Sequence, residues 1–440
     1  MAMWSLVGAL LLSVSTQALD GRTVATVPRS LMSYATRPVL ASESLANTMP
    51  DPVAKQAIAA MLTDIKQIGV ASPDQGVWIQ SHDGAIASGN LASRPLPAAS
   101  LTKIATTLAS LQTWGSNYRF VTNIYATGNI VGDTLKGDLI IEGGGDPFFV
   151  WEEAIALGNK LNQLGIKRIQ GNLIVTGKFA MNFETNLQES ANFLRLAFDS
   201  SRWEGEVAQQ YATMPWGTPK PQLVVLGNVR IAPNLSAVNI PNIASRRLLV
   251  MHSSLPLWQI LKRMNTFSNN EMAEMLASQL GGQVAAIAAN AADIPITEVR
   301  LINGSGLGQA NQISPRAIVA ILMAVHNRAQ VEGLTLADLF PTSDCNCGTI
   351  EGRKIPRGAI VKTGTLSDVS ALAGIVQTQQ HGAIWFAIVN RGEGNIDDFH
   401  RSQDRVLQTL VAKWGLPKLP TISFAETPWR DSDRNQIITK

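Results

Sequence analysis

The chain has 440 residues, enough for two or three domains at about 150 residues each. Hydrophobic residues make up 45% of it and charged residues 16%, which excludes a disordered chain, since that state needs low hydrophobicity and high charge. The net charge is +3, without a long basic run, so the concentrated basic face of a nucleic-acid binder is missing.

Residues 1–18 read as an export signal. Leu6 to Val14 is a short apolar stretch, and Thr16-Gln17-Ala18 places small residues before a cleavage site after Ala18. No Lys or Arg precedes that stretch, and it is shorter than the ~20 apolar residues of a membrane span. Residues 19–50 form an irregular spacer. The apolar spacing then predicts a helix over Pro52 to Ile68, a strand over Gly76 to Gln80 running into the turn Asp83-Gly84, and a helix over Leu101 to Trp114 with Ser100 as its N-cap. From Phe120 the texture changes to short strands, Val121–Ala126, Asp138–Glu142 and Leu173–Thr176, around one helix from Trp151 to Leu164. Ala180 to Ser245 shows no long period. Helices return at Leu255–Asn265, Glu271–Leu280 and Pro315–Asn327, and strands at Val299–Ile302, Ala359–Thr363, Ser370–Thr378 and Ala383–Asn390. A helix from Asp397 to Trp414 closes the folded part, and 417–440 reads as a surface-hugging tail. The expected organisation is one helix-and-strand domain over 51–119 and 246–416, split by a β-rich insert over 120–245.

The two cysteines, Cys345 and Cys347, flank a single residue and are compatible with either a strained disulfide or two free thiols. Two cysteines are too few for a structural zinc site, and the histidines His82, His252, His326, His381 and His400 show no ligand spacing. No metal or cofactor is expected. Gly143-Gly144-Gly145 lacks the Lys-Ser/Thr of a phosphate loop, and Gln309 stands where a dinucleotide fingerprint needs its third glycine.

Three short motifs occur in order: Ser100-Leu101-Thr102-Lys103, Ser268-Asn269-Asn270 and Lys362-Thr363-Gly364-Thr365. Residues three apart on a helix share a face, so the Lys103 amine can reach the Ser100 hydroxyl. A helix start also offers free backbone N–H groups to a developing negative charge. Lys103 serves as a base only when unprotonated, and lowering a lysine from about 10.4 to about 7 costs roughly 4.6 kcal/mol. Burial and a second cation, Lys362, are the expected causes. Ser268 can relay a proton and Asn270 can bond a substrate amide. Lys362 with the Thr363 and Thr365 hydroxyls could hold a substrate carboxylate, and the strand edge could pair with an extended peptide. Each motif alone is weak; their order and placement together are specific.

Beyond these motifs the sequence resembles the serine D-alanyl-D-alanine carboxypeptidases of the class C, low-molecular-mass penicillin-binding type. The resemblance extends to Pro97-Ala98-Ala99-Ser100, Gly137-Asp138-Leu139 with Gly143-Gly144-Gly145-Asp146-Pro147, and Asn270 with Ala273-Glu274. It continues through Gly304-Ser305-Gly306-Leu307, Ile313-Ser314-Pro315, and Lys362-Thr363-Gly364-Thr365-Leu366 with Val369-Ser370-Ala371-Leu372-Ala373-Gly374. It implies an α/β penicillin-binding and β-lactamase-like fold, an antiparallel sheet flanked by helices and interrupted by an insert. It also implies periplasmic or other extracytoplasmic action on peptidoglycan stem peptides, with β-lactams as covalent inhibitors. No further stretch of the sequence is long and apolar enough for a transmembrane anchor, which leaves loose membrane association open. Residue by residue, the resemblance makes Ser100 the nucleophile, Lys103 the base, Ser268 and Asn270 the second element, and Lys362, Thr363, Gly364 and Thr365 the third. The Ser100 and Thr365 N–H groups would form the oxyanion hole.

Asn303 stands where an aspartate is usual before Gly304, Gly308 where a serine is usual, and Thr176-Gly177-Lys178 where paired aspartates are usual. A β-lactamase would need a deacylating glutamate between the first two motifs, and the insert lacks such a signature. A non-catalytic wall-binding or β-lactam-sensing protein is the rival from another class. Arg353, Lys354 and Arg357 could attract an anionic polymer but read better as a solvated turn, and Asp146 and Glu274 read as structural.

Overall fold

A computed structural model of the chain describes residues 24–26, 50–70, 72–237, 246–418, 423–425 and 434–438. The export signal expected over 1–18 lies outside them, as does most of the 19–50 spacer. The chain divides into two compact units, one holding Val24–Asn117 and Leu257–Ala425, the other Tyr118–Pro256 with the C-terminal segment.

The first unit begins with α1 (Pro52–Gln67), where Asp51 accepts from the Val53 and Ala54 N–H groups and Pro52 takes the first helical position. β1 (Gly76–Ser81) runs into the expected turn and pairs antiparallel with β2 (Ala87–Asn90) as a hairpin. α2 (Thr102–Trp114) follows a single 3-10 turn, Ala99–Leu101. Ser100 therefore sits inside that turn, and its side chain caps nothing, contrary to the expectation.

In the second unit, β3 (Val121–Ala126), β4 (Leu139–Gly144), α3 (Trp151–Gln163) and β5 (Leu173–Lys178) follow the expected order. Two unexpected helices come next, α4 (Leu187–Phe198) and α5 (Gly205–Thr213), then β6 (Val229–Ala232) and β7 (Arg247–Ser253). The insert is thus mixed helix and sheet rather than β-rich, because Leu194, Ala197, Phe198 and Val207 from these helices fill its core. Its six-stranded sheet runs β6-β5-β4-β3-β7 and ends on the strand Asn435–Ile437. β7 pairs with β3 and with that terminal strand, so the insert continues past 245, and the tail enters its sheet.

Returning to the first unit, α6 (Leu257–Phe267), α7 (Asn270–Gln279) and α8 (Pro315–Val331) precede β8 (Ile360–Leu366), β9 (Val369–Thr378), β10 (Gly382–Arg391) and α9 (Ile396–Trp414). The sheet is antiparallel throughout, in the order β8-β9-β10-β1-β2. Alternation along β10 shows how it is covered: Ile384, Phe386 and Ile388 share a core with α1 and α9, while Trp385 turns the other way onto His326 of α8. Coverage on both faces explains why β9 and β10 read as nearly continuous apolar runs. Within this unit Val24–Thr26, inside the expected spacer, pairs with Ser423–Ala425. No helix among the described residues is long and apolar enough to cross a membrane.

Candidate active site

The site begins with strain. Ala99, a non-glycine residue, has φ of 48°, a left-handed conformation that costs on the order of 1–3 kcal/mol. The kink leaves Ser100 half-buried while Ala98, Ala99 and Leu101 are fully buried. Two glycines let other backbone segments close on it. A Cβ at Gly306 would lie 1.8 Å from the Ala99 carbonyl oxygen, and one at Gly364 would lie 2.9 Å from that of Ala98. Gly364 thereby lets β8 lie against the Ser100 turn.

Lys103, on the first turn of α2, is fully buried. Its Nζ lies 2.9 Å from Ser100 Oγ, 2.8 Å from Asn270 Oδ1 and 2.9 Å from the Ser305 carbonyl oxygen. Burial pulls its pKa down from 10.5 to about 7, against the opposing pull of Glu274 and Glu271. A protonated amine donates to all three oxygens. A neutral amine donates two hydrogens, to Asn270 and Ser305, and its lone pair is left facing the Ser100 hydroxyl. That is the arrangement a general base requires.

Ser268 lies between α6 and α7 with φ of 55°. Asn269 rather than Ser268 caps α7, accepting from the Met272 N–H at 2.8 Å, so the Ser268 hydroxyl is left to accept from Lys362 Nζ at 2.9 Å. Lys362 Nζ also donates to the Thr363 carbonyl oxygen at 2.8 Å. Lys362 is itself buried, and burial followed by the charge of Lys103 holds its pKa well below 10.5. Burial acts on Lys103 as expected, but the second expected cause runs the other way: the charge of Lys103 depresses Lys362, and Lys362 is not among the causes that depress Lys103.

The Thr363 hydroxyl donates to Thr349 Oγ1 at 2.6 Å, and Thr365 is exposed. Sequence reasoning missed Thr349, which belongs to no motif. Two residues before it, Cys345 and Cys347 form a disulfide with Cα atoms 5.2 Å apart, resolving the alternative left open above. Gly348 presses on α6, where an added Cβ would meet the Thr266 carbonyl oxygen at 2.2 Å.

The unusual residues at the glycine turn fit it. Asn303 Oδ1 accepts from the Gly306 N–H at 2.9 Å, as a carboxylate would, and its amide also donates to the Leu307 carbonyl oxygen at 2.8 Å. Gly308 has φ of 93°, a conformation that serine resists. The basic cluster is partly spent: Arg353 pairs with Asp404 at 2.7 Å and Arg357 with Asp344 at 3.2 Å. Of the residues expected at the site, the structure brings Ser100, Lys103 and Asn270 into one hydrogen-bonded group and Ser268, Lys362 and Thr363 into another.

An antiparallel sheet between helices, with a serine–lysine pair at a helix start, defines a serine-acylating hydrolase of the penicillin-binding type. The chain belongs to the D-Ala-D-Ala carboxypeptidase 3 (S13) family, whose model matches residues 54–182 and 227–411. It is a serine hydrolase of that family, one acting on the cell wall outside the cytoplasm. A carboxypeptidase of Mycobacterium tuberculosis is 26% identical over 381 residues, 76% of this chain and 81% of that protein. The D-alanyl-D-alanine carboxypeptidase DacB of Haemophilus influenzae is 22% identical over 63% of this chain and 77% of its own. Among solved structures, the penicillin-G-acylated form of a predatory endopeptidase from Bdellovibrio bacteriovorus shares the fold, with a TM-score of 0.66 and 22% identity over 80% of this chain and 96% of that one.

Proposed function

We propose that Ser100 is the nucleophile of a D-Ala-D-Ala carboxypeptidase and endopeptidase acting on peptidoglycan stem peptides. Its Oγ attacks the carbonyl carbon of the penultimate D-Ala while its proton passes to the neutral Lys103 amine. The Ser100 and Thr365 N–H groups hold the resulting oxyanion. The C–N bond then breaks, and the departing amine takes a proton delivered from Lys103 through Ser268. Water hydrolyses the acyl-enzyme, with Lys103 again the base. Asn270 orients the substrate amide, and Lys362, Thr363 and Thr365 receive the terminal carboxylate, with Gly364 leaving room for the strand to approach. An incoming carboxylate would draw Lys362 toward its charged form. A cross-link presents the same bond with a different leaving amine, and a β-lactam ring opens by the same attack to leave a stable ester. The penicillin-acylated relative supports that last step. A signal over residues 1–18 would deliver the enzyme to the periplasm or its equivalent.

The observation that carries this reading is the 2.9 Å contact between Lys103 Nζ and Ser100 Oγ, made by an amine whose pKa burial brings to about 7. The test is incubation of the protein, without residues 1–18, with a diacetylated stem peptide ending in D-Ala-D-Ala. Free D-alanine released by wild type but not by Ser100→Ala is the expected result. Release by neither protein, with no acylation of Ser100 by labelled penicillin, would leave the non-catalytic binder as the better account.

A further inference from the structure

Glu274, on α7, touches neither Ser100 nor Lys103 by a hydrogen bond, yet it grips the turn that holds the lysine. Its two carboxylate oxygens accept from the Gly304 N–H at 3.2 Å and the Ser305 N–H at 3.0 Å. The Gly304 carbonyl oxygen is held from the other side by the Thr106 hydroxyl at 2.7 Å. The next peptide, which supplies the Ser305 carbonyl to Lys103, is held through its Gly306 N–H by Asn303. Three successive peptide groups are thus fixed, two of them by one carboxylate. The turn also sits tightly on α7, for an added Cβ at Gly304 would meet the Ala273 carbonyl oxygen at 2.4 Å.

We propose that Glu274 is a positioning residue for the acylation step, fixing the Gly304-Ser305-Gly306 turn so that the Ser305 carbonyl aims the Lys103 lone pair at Ser100. The inference rests on the assignment of Lys103 as base. If the Ser305 carbonyl rotated away, the amine would have one fixed acceptor instead of two, and its lone pair would no longer be committed to the serine. The carboxylate has a second effect. Glu274 on α7 is the larger of two negative charges acting on Lys103, Glu271 of the same helix being the other. Lys362 on β8 is a buried amine whose own pKa the charge of Lys103 lowers, and the glycine turn contributes only neutral groups. Removing the Glu274 charge leaves burial less opposed, so Lys103 releases its proton at lower pH.

The test follows the second-order rate of acylation by a labelled penicillin from pH 5 to 9 in wild type, Glu274→Gln and Glu271→Gln. In parallel, the Lys103 proton affinity is read by NMR on protein carrying carbon-13 at the lysine ε-carbon. Glutamine at 274 keeps the size of the side chain but offers one acceptor where two N–H groups need one each. Expected for Glu274→Gln are a plateau rate at least about tenfold lower and a Lys103 midpoint below that of wild type. Glu271 is exposed and is the smaller of the two charges acting on Lys103, so Glu271→Gln should lower the midpoint by less and keep the plateau. A Glu274→Gln midpoint equal to that of wild type, or an unchanged plateau, would overturn the proposal. Absence of acylation in wild type would instead overturn the assigned reaction, and the NMR titration would still decide the role of Glu274.

Discussion

In the insert unit, the buried Glu153 carboxylate of α3 lies 2.7 Å from Arg434 and 3.6 Å from His252 of β7. Asn435 completes the group, 2.9 Å from the other ring nitrogen of that histidine. In the sheet unit, Lys103 and Lys362 are buried just as deeply, but among the described residues neither forms an ion pair. Their partners are hydroxyls, an amide and backbone carbonyls. The first cluster neutralises charge with charge and joins a helix, a strand and the C-terminal segment. The second leaves two amines among neutral acceptors, where burial lowers the pKa of each. Buried charge that is paired serves the fold, whereas a buried amine offered only neutral partners can give up a proton near pH 7.

The largest expected effect lies on the amine side of that contrast. Ser100→Ala and Lys103→Ala should each reduce acylation by labelled penicillin by about a thousandfold or more, with Ser100→Ala unfolding at the wild-type temperature. On the paired side, Arg434→Met strands the Glu153 carboxylate and should cost the insert unit about 3–5 kcal/mol in denaturant unfolding. The double variant Glu153→Gln/Arg434→Met should recover much of that loss. If the single and double variants are equally destabilised, packing rather than charge pairing is what Arg434 supplies.

Another buried group of the insert gives a pH test. Burial is the main cause that pushes Asp146 up from 3.8 to about 7. The folded state therefore holds a proton that the unfolded state has lost between about pH 4 and 7, and stability falls as pH rises through that window. Asp146→Asn stays neutral and keeps the Phe148 N–H as a partner through its amide oxygen. It should match wild type near pH 4 and exceed it by about 1 kcal/mol or more at pH 8, measured by unfolding at both values. A variant that is less stable than wild type at pH 8 would show that the ionised carboxylate is wanted there.

The smallest effect concerns Thr349. Removing its bond to Thr363 in Thr349→Val should lower acylation by about two- to tenfold. Cys345→Ser with Cys347→Ser should do no more than that if the disulfide acts only by placing Thr349. Steady-state acylation rates of the two variants and their combination decide whether the effects coincide.

Much of the proposed catalytic group was legible because helix spacing ties Lys103 to Ser100 and because Ser268, Asn270 and Lys362 sit in short motifs at element ends. The Ser305 carbonyl was not, since any residue could supply that atom and only the fold brings it to Lys103. Thr349 was hidden for a related reason: its partner lies 14 residues away across a loop without a pattern. The helix α4 carried its own signal, with Asn186 capping it and Ala191, Leu194 and Phe198 on its buried face, and it is lost inside the wider stretch 180–245, whose prolines begin only at Pro215. α5 is short and starts at a glycine. The strand Asn435–Ile437 is defined by pairing with β7, which three residues cannot announce. Glu274 looked structural because its hydrogen bonds go to the backbone N–H groups of Gly304 and Ser305 rather than to a motif side chain.

The central claim is that burial among neutral partners makes Lys103 a base at near-neutral pH. Its most direct test is the pH dependence of Ser100 acylation by labelled penicillin in the wild-type protein, with the modified residue located by mass spectrometry. The account predicts a label on Ser100 and a rate that rises with pH through a single midpoint at about 7 as Lys103 loses its proton. A midpoint near the ordinary lysine value of about 10.4, or a label on any other residue, would contradict it.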